Sequence, residues 1–356
     1  MIDISIIIVS WNSKDYLSGC LSSLAAGAGS LSFETFVVDN ASGDGSADLA
    51  RERFPSVHLI RNAENRGFAA ANNQALKISS GRYALLLNPD TRVYPGAIES
   101  VVGFMDGHPE AGASGCLLLN EDGSVQHAVR RFPTFAFALG AKTILGRMGL
   151  FRKGYGSVKM RGEHFDGVME VDQPSGAALF LRQSVLAEVG LLDEGYFMFF
   201  EEVDLCRRIK DAGHKIYLFP EARITHYGGR SRRQSRAEVI LPGLQSMLRY
   251  FRKHEGPVRS ALFDLVFRPL FAIGICFDAG RAALRISLSR LRPHRGMLGV
   301  CPSNSAAETL RAAAGCVASL RCCGLDVSLW IRLRPRALIR SQAAGGATEP
   351  ITRTGS

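Results

Sequence analysis

The chain has 356 residues, of which 46% are hydrophobic and 21% are charged, so a substantial core can be buried and a disordered or collagen-like protein is excluded. The net charge of +10 is not spread evenly: residues 1–229 carry 22 Lys and Arg against 26 Asp and Glu, whereas residues 230–295 carry 14 against 4. The local excess indicates an anionic surface or partner, phospholipid or nucleic acid, that the C-terminal third alone contacts.

The eight cysteines form neither a C-x-x-C pair nor a repeated metal-ligand spacing, which argues against a zinc ribbon. The first residues, Met1–Ser5, place an acid where a secretory signal carries positive charge, so we expect a reducing, cytosolic location. The sequence lacks G-x-G-x-x-G, Walker A and G-x-S-x-G motifs, which weakens dehydrogenase, P-loop NTPase and α/β-hydrolase interpretations.

In chain order, the first quarter of the sequence alternates strand and helix patterns. Ile4–Ser10 is a continuous apolar run, typical of a strand buried on both faces. Further strands are predicted over Phe33–Val38, Val57–Arg61 and Tyr83–Leu87, and helices over Ala47–Phe54 and Ala69–Ile78. Each strand ends in a polar cluster, where open α/β sheets bind ligands. The sequence therefore predicts an α/β fold with a mostly parallel sheet flanked by helices.

The second half of the sequence is less regular. Helices are predicted over Arg182–Val189 and Arg208–Ala212, and strands over Lys215–Phe219, closed by Pro220, and Ala222–Ile224. Residues 258–291 are apolar but interrupted by charges, so they predict surface-lying amphipathic helices rather than a span of ~20 residues. We expect three regions: a catalytic domain over 1–229, a basic amphipathic extension over 230–295, and a poorly ordered tail over 296–356.

Two polar clusters at strand ends are candidates for binding a ligand. The Asp39 carboxylate, beside Asn40, could accept a hydrogen bond from a ligand donor such as a pyrimidine N–H; alternatively Asp39 and Ser42 cap the next helix. In the loop that begins at Asn65, Gly67 allows a close backbone approach and Arg66 is available for phosphate; alternatively it is a tight turn.

Asp90 and His226 are candidate metal ligands. A carboxylate at the end of a buried strand can hold a divalent cation whose other positions are left for diphosphate oxygens and water, although Asn88-Pro89-Asp90 is also good turn chemistry. A neutral His226 imidazole could bind the same cation, although a lone histidine is more often structural.

Glu201, Glu202 and Asp204 place three acids within four residues beside a run of aromatic side chains. Like charges this close raise the proton affinity of at least one of them, which suits a general base; alternatively, acids in the first turn of a helix are favoured by its dipole. A basic cluster at Arg230–Arg236 could contact phosphate or form a solvated face.

Seven motifs in consistent order, over roughly residues 3–250, resemble glycosyltransferase family 2, and within it the rhamnosyltransferase-like subgroup. They are Ile6–Asn12, Val37–Ser42, Asn65–Phe68, Leu87–Asp90, Ser175–Ala177, Phe200–Leu205 and His226–Gly229. The resemblance implies a GT-A fold and an inverting glycosyltransferase that uses Mg²⁺ or Mn²⁺ to move a sugar, with rhamnose as the candidate, from a nucleotide-diphosphate donor. The acceptor would be a glycan or lipid-linked hydroxyl in cell-envelope polysaccharide assembly.

The resemblance also implies roles for individual residues. The residues implied to bind the donor are Ser10, Asn12, Asp39, Asn40, Asn65, Arg66, Gly67, Asn88 and Asp90. Asp90 and His226 would bind the metal, and Gly176 and Phe200 would bind the acceptor. Glu202 would act as the base, with Glu201 and Asp204 as alternatives. Many relatives have Asp-x-Asp where this chain has Asn88-Pro89-Asp90, so one carboxylate replaces two.

Two other classes stay open at this point. A non-catalytic nucleotide- or RNA-binding protein would use the arginine-rich third, but no aromatic residues interleave with Arg230–Arg236, so we do not expect nucleic acid as a partner. A sugar nucleotidyltransferase would need a Gly-rich, Lys- or Arg-bearing loop after the first strand, and Ser10–Ser13 is not one. For the glycosyltransferase, the basic segment predicts docking of a cytoplasmic protein on the anionic inner face of the membrane.

Overall fold

The computed structural model describes residues 1–160, 165–228 and 236–291, with backbone alone for 236–241, 275–276 and 278–291. The strands are β1 (Ile4–Ser10), β2 (Phe33–Asp39), β3 (His58–Arg61), β4 (Tyr83–Leu87), β5 (Thr91–Val93), β6 (Ala111–Leu119), β7 (Val129–Arg130), β8 (Met169–Glu170), β9 (Gln173–Pro174), β10 (Ala178–Arg182) and β11 (Lys215–His226). The helices are α1 (Lys14–Ala28), α2 (Ser46–Arg53), α3 (Phe68–Leu76), α4 (Ala97–Gly107), α5 (Phe135–Lys142), α6 (Ile144–Arg147), α7 (Arg152–Val158), α8 (Gln183–Val189), α9 (Glu201–Asp211), α10 (Arg236–His254) and α11 (Pro257–Leu291).

Nine strands form the central sheet, in the order β3-β2-β1-β4-β10-β6-β11-β5, with β8 also paired to β11. The first four strands of this order are mutually parallel, and β6 and β11 are parallel to each other. Strand β10 lies antiparallel between β4 and β6, and β5 and β8 are antiparallel to β11. The expected mixed α/β architecture with a mostly parallel sheet is confirmed.

Burial explains why β1 lies inside the sheet. All its residues are buried, and alternate side chains enter different core clusters. Ile6 and Ile8 pack with α1 and α4 residues on one face, whereas Ile7 and Val9 pack with α3 and α9 residues on the other. A strand covered on both faces reads as an unbroken apolar run, because neither face meets water.

Two predicted boundaries in the second half are wrong. The strand predicted to close at Pro220 continues to His226 as β11, and the pairing with β6 shifts between Phe219 and Arg223, which lets the sheet accommodate a proline that cannot donate to the ladder. The predicted helix over Arg208–Ala212 begins earlier, at Glu201, so the acidic residues lie in its first turn.

Helices α10 and α11 pack against the sheet-bearing part of the chain. Side chains of both helices form one hydrophobic cluster with Tyr196, with Val203 of α9 and with Ala138 of α5. Within the described residues, no helix is long and apolar enough to cross a membrane. Cys20, Cys116 and Cys206 are free and buried. The boundary expected after residue 229 and the tail over 296–356 lie outside the described residues.

Candidate active site

The carboxyl ends of β1, β2 and β4 meet at one edge of the sheet, because these strands are parallel neighbours. Ser10 is the register partner of Asp39, and β4 ends beside β1, just before Asn88. Ser10 is buried and its hydroxyl shares a 2.8 Å hydrogen bond with that of Ser13. The exposed Asn12 accepts a 2.8 Å hydrogen bond from the Gly43 N–H, so it ties together the loops that follow β1 and β2.

Asp39 presents an unsatisfied acceptor at this edge. Its side chain is buried, and Oδ2 accepts from the Ser42 N–H at 3.1 Å, whereas Oδ1 is buried without a hydrogen-bond partner among the described residues. Helix α2 begins at Ser46 with Gly45 as its N-cap, so the interpretation of Asp39 as a helix cap is wrong. A buried carboxylate oxygen without a partner carries a desolvation cost that a ligand N–H would relieve.

Asn40 holds the loop that approaches α3. Its Nδ2 donates to Asn65 Oδ1 at 2.8 Å and to the Gly67 carbonyl at 3.2 Å. Its Oδ1 accepts from Asn62 Nδ2 at 3.1 Å and from the Arg66 N–H at 3.0 Å. Because both ends of the amide are occupied, Asn40 and Asn65 shape the loop, while the Arg66 side chain stays exposed.

Gly67 brings this loop against the segment that precedes α9. Its φ is +82°, and a Cβ built on it would lie 2.5 Å from the carbonyl oxygen of Phe197, which accepts from the Phe68 N–H at 2.8 Å. Only glycine fits both this backbone conformation and this approach. The contact joins the donor-side loop to the acidic helix.

Asp90 and His226 are brought together by strand pairing. Asp90 directly precedes β5, which pairs antiparallel with the end of β11 so that His226 is the register partner of Thr91. The Tyr227 N–H donates to the Asp90 carbonyl at 3.0 Å, and His226 Nε2 lies 3.4 Å from Asp90 Oδ1. The two expected metal ligands therefore lie side by side.

Gln126 sets the tautomer of His226. Its Nε2 donates to the backbone carbonyl of His226, so its Oε1 faces His226 Nδ1 at 3.0 Å. A carbonyl oxygen only accepts, hence Nδ1 carries a proton. In the neutral ring, the lone pair on Nε2 then faces the Asp90 carboxylate and the Asn88 amide, whose Nδ2 lies 3.4 Å away.

This arrangement fits a divalent cation. With a neutral imidazole, two electron-pair donors face each other at 3.4 Å, and a cation bound by both would relieve their repulsion. Across the described ranges, no three His, Cys, Asp or Glu side chains converge as a metal cage. The protein would thus supply two ligands and leave the remaining positions to diphosphate oxygens and water, as Mg²⁺ often requires.

Glu202 lies on the same edge of the sheet, reached through the turn before β10. A Cβ built on Gly176 would lie 3.4 Å from Glu202 Cγ, and the next carbonyl, of Ala177, accepts from the Asn88 N–H at 2.9 Å. Gly176 therefore lies directly against the Glu202 side chain, at ordinary contact distance. This turn joins the acidic helix to the segment that carries Asp90.

The Glu201 and Glu202 carboxylates each have one oxygen without a hydrogen-bond partner in the described part of the chain. Glu201 Oε2 and Glu202 Oε2 are both buried without a hydrogen-bond partner among the described residues. Burial raises the pKa of Glu201 well above its ordinary value, and the neighbouring charge of Glu202 adds to the rise. Burial also raises the pKa of Glu202, partly opposed by the positive charge of Arg130. A carboxylate with a raised pKa is a stronger proton acceptor.

Asp204 has a different environment, although it lies in the same helical turn. Its fully buried carboxylate pairs with Arg208 at 2.9 Å and with Lys253 and His254 of α10 at 2.8 Å. These hydrogen bonds and charges outweigh burial and hold the pKa of Asp204 below its ordinary range. The geometry weighs against the expected role of Asp204 as an alternative base and makes it the anchor between α9 and α10.

The turn before α9 is built from strained aromatic residues. Phe199 and Phe200 both have positive φ, 65° and 69°, a conformation that costs about 1–3 kcal/mol per non-glycine residue. The Phe200 ring packs 5.7 Å from Tyr250 of α10, so the residue expected to contact the acceptor is partly covered from that side. The strain is offset by packing that fixes where α9 begins.

Three residues of this site have no place in the sequence-based expectations: Gln126, Arg130 and Phe197. Gln126 and Arg130 belong to a stretch with no recognised pattern, and strand pairing alone brings them to the site. Phe197 lies in the recognised aromatic run, but only the Gly67 contact distinguishes it from its neighbours. The expected basic cluster falls outside the described residues, apart from the backbone of Arg236.

Part of the chain is similar to known glycosyltransferases. Residues 5–168 match the family model described as Glycosyl transferase family 2. The chain is 29% identical over 238 residues to N-acetylglucosaminyl-diphospho-decaprenol L-rhamnosyltransferase of Mycobacterium tuberculosis, covering 64% of this chain and 76% of that protein. It is 26% identical over 195 residues to Rhamnosyltransferase WbbL of Escherichia coli strain K12, covering 52% and 70%.

Among solved structures, the mannosyltransferase PcManGT from Pyrobaculum calidifontis, in complex with GDP-Man and Mn²⁺, matches with a TM-score of 0.49 and 16% identity over 92% of this chain and 87% of that one. The family match and the order of the central sheet confirm the expected GT-A fold. The named relatives confirm the likeness to rhamnosyltransferases.

Proposed function

Because residues 5–168 match the model of Glycosyl transferase family 2, we propose that this protein is an inverting, metal-dependent glycosyltransferase. It moves a sugar from a nucleotide-diphosphate donor to a hydroxyl group of a glycan or lipid-linked acceptor. The observation that supports the proposal is that the Asp90–His226 pair and the Glu202 carboxylate, whose Oε2 has no hydrogen-bond partner among the described residues, lie at one sheet edge and are linked through Gly176 and Ala177.

The donor lies along the carboxyl ends of β1, β2 and β4. Asp39 accepts a hydrogen bond from the nucleobase through its free Oδ1, and the loop shaped by Asn40 presents the Arg66 guanidinium to phosphate. Asp90 and His226 would hold Mg²⁺ or Mn²⁺ together with the diphosphate. When bound, the cation offsets the negative charge that develops on the departing diphosphate.

Glu202 acts as the general base. The acceptor hydroxyl oxygen attacks the anomeric carbon, its proton passes to the Glu202 carboxylate, and the bond between that carbon and the diphosphate oxygen breaks with its electron pair leaving on the nucleoside diphosphate. A single displacement of this kind inverts the anomeric configuration and needs no covalent enzyme intermediate. Burial of Glu202 keeps water from competing for the proton.

The substrates are proposed from the relatives. Two of them are named as rhamnosyltransferases, and the name of the mycobacterial protein includes a diphospho-decaprenol acceptor. We infer a deoxyhexose such as rhamnose as the transferred sugar and a polyprenyl-diphosphate glycan as the acceptor, in the assembly of a cell-envelope polysaccharide. Such an acceptor would place the enzyme at the inner face of the membrane.

Two variants test the proposal by separating donor binding from chemistry. Asp90→Ala is expected to abolish transfer and to weaken metal-dependent donor binding in calorimetry, whereas Glu202→Gln is expected to abolish transfer and keep donor affinity. Nucleoside diphosphate release from a panel of nucleotide sugars, with and without EDTA, identifies the donor and the metal dependence. Unimpaired turnover of Glu202→Gln would move the base to Glu201.

A further inference from the structure

Helix α11 is apolar on two faces, and among the described residues only one of these faces is covered. Phe263, Phe267 and Phe271 are buried in the cluster that α11 forms with α10 and α5. A second set of apolar side chains is 50–73% exposed, and we call it the α11 stripe: Val258, Leu262, Leu265, Val266 and Ile273. Their spacing places them on a single face, which runs for about 22 Å at 1.5 Å per residue.

A second exposed apolar element adjoins this helix. Helix α6 packs on α11 at Gly274, where an added Cβ would lie 3.0 Å from the Ile144 backbone nitrogen. The turn that follows α6 exposes Met148, Leu150 and Phe151 by 40–69%. Soluble surfaces rarely collect this many large apolar side chains without a partner to cover them.

The sequence segments that hold these apolar elements contain more basic than acidic residues. Arg147, Arg152 and Lys153 flank the exposed turn in the sequence, and α11 continues to Leu291 through Arg281, Arg285 and Arg290 without an acidic residue after Asp278. Exposed apolar side chains bordered by arginine and lysine are the chemistry of an interfacial helix on an anionic bilayer.

We propose that the α11 stripe, together with the Met148–Phe151 turn, is a docking surface for an anionic phospholipid bilayer. The two other candidate occupants fit the charge less well. A second copy would bring an equally basic surface, and the tail over 296–356 carries 7 Lys and Arg against 3 Asp and Glu, so both would repel what they cover. This surface includes no residue of the candidate active site, so its test is independent of sugar transfer.

The test measures co-sedimentation of the full chain with vesicles of phosphatidylcholine alone or mixed equally with phosphatidylglycerol. The wild type is expected to bind the anionic vesicles more tightly, and the binding is expected to fall as salt shortens the Debye length to about 3 Å at 1 M. Leu262→Gln combined with Leu265→Gln is expected to lose roughly tenfold or more in affinity, because two inserted side chains are removed.

The matched control is Ile78→Gln combined with Val125→Gln, two exposed apolar side chains outside this surface, which should leave vesicle binding unchanged. Thermal melting of both double variants checks that each is folded. Equal binding by the wild type and Leu262→Gln/Leu265→Gln, or no wild-type binding to anionic vesicles, would overturn the proposal. A wild-type dimer in light scattering that this variant dissociates would assign the stripe to a second copy instead. Oxidative cross-linking of Leu262→Cys to a tail cysteine such as Cys301 would assign it to the tail.

Discussion

The Nε2 atom of His226 lies 3.4 Å from Oδ1 of Asp90, and other parts of the chain determine the positions of both side chains. Strand β5, only three residues long, pairs with the end of β11 and places His226 opposite Thr91. Gln126 then fixes the imidazole so that Nε2, rather than Nδ1, faces the carboxylate. The pair is therefore assembled by backbone pairing and oriented by one amide side chain.

Replacing that amide should weaken metal binding without touching a ligand. In Gln126→Leu, His226 Nδ1 loses its acceptor and the ring is free to change tautomer. Loss of a hydrogen bond that orients a metal-binding histidine typically costs about 10–100-fold in metal affinity or activity. Manganese titration of nucleoside-diphosphate binding by calorimetry measures the effect. Val125→Thr, a change of similar volume at the exposed neighbour, is the control, and equal metal affinity in Gln126→Leu would contradict the assigned tautomer.

The proposed base, Glu202, should lower the stability of the folded protein. Because burial raises the pKa of Glu202, the folded chain binds this proton more tightly than the unfolded chain does, so stability is lost as pH rises through the folded-state pKa. Glu202→Gln should therefore melt at a higher temperature than the wild type near pH 8, and the difference should vanish as the pH falls well below the ordinary carboxyl pKa of about 4.3, where the group is protonated in both states.

The same substitution should lower turnover by about 10²–10⁴-fold, the usual contribution of a general base. In the wild type, turnover should fall on the acid side with an apparent pKa above that of an ordinary carboxyl group. A Glu202→Gln variant that is both less active and less stable would instead point to a structural role for this side chain.

Removing the anchor between α9 and α10 should destabilise the fold. Asp204→Asn leaves Arg208, Lys253 and His254 without their shared carboxylate, and breaking a buried pair costs about 3–5 kcal/mol. Because the pKa of Asp204 is lowered, its contribution is complete above the ordinary carboxyl pKa and is lost as pH falls toward the folded-state value. Urea unfolding at several pH values measures both effects.

Asp211→Asn is the matched control for this change. Asp211 lies in the same helix and pairs with Arg207 at 3.0 Å, but its side chain is 56% exposed. Exposed pairs at this spacing contribute about 0.3–0.5 kcal/mol, so little stability should be lost. Should Asp204→Asn keep its stability and lose only turnover, Asp204 rather than Glu202 would be the base.

Adding a side chain at Gly67, which lies against Phe197, should weaken donor binding. Gly67→Ala places a Cβ 2.5 Å from the Phe197 carbonyl oxygen at a φ of +82°, so the loop held by Asn40 must move. Strain of about 1–3 kcal/mol corresponds to roughly 5–150-fold in donor affinity. Gly43→Ala is the control, because an added Cβ there meets nothing within 4 Å. Donor titration by calorimetry that gave equal affinities for the two variants would contradict the role of this contact.

The first half of the fold is predictable because its signals are local. Strands β1, β2 and β4 are unbroken apolar runs that end in polar residues, and parallel neighbours bring those ends to one edge. Asp90 follows from its position alone. Gln126 does not, because its importance arises only when β11 pairs with β6 and β5, which are distant in the sequence.

The three acids of α9 show the same limit at the scale of one helical turn. Glu201, Glu202 and Asp204 share composition, neighbours and helix dipole, so the sequence offers no way to assign their roles. The difference comes from α10, whose Lys253 and His254 reach the Asp204 carboxylate, whereas one oxygen of each of the other two carboxylates is buried without a hydrogen-bond partner among the described residues. Long-range packing, rather than local pattern, separates the anchor Asp204 from the proposed proton acceptors.

The contact between Asp204 and α10 also has a mechanical consequence. The helix that bears Glu202 is clamped to α10, and α10 shares its hydrophobic cluster with α11. Any surface that binds α11 is therefore held at a fixed angle and distance from the candidate active site. On a bilayer, this fixed distance would select acceptors by how far their reactive sugar lies above the lipid headgroups.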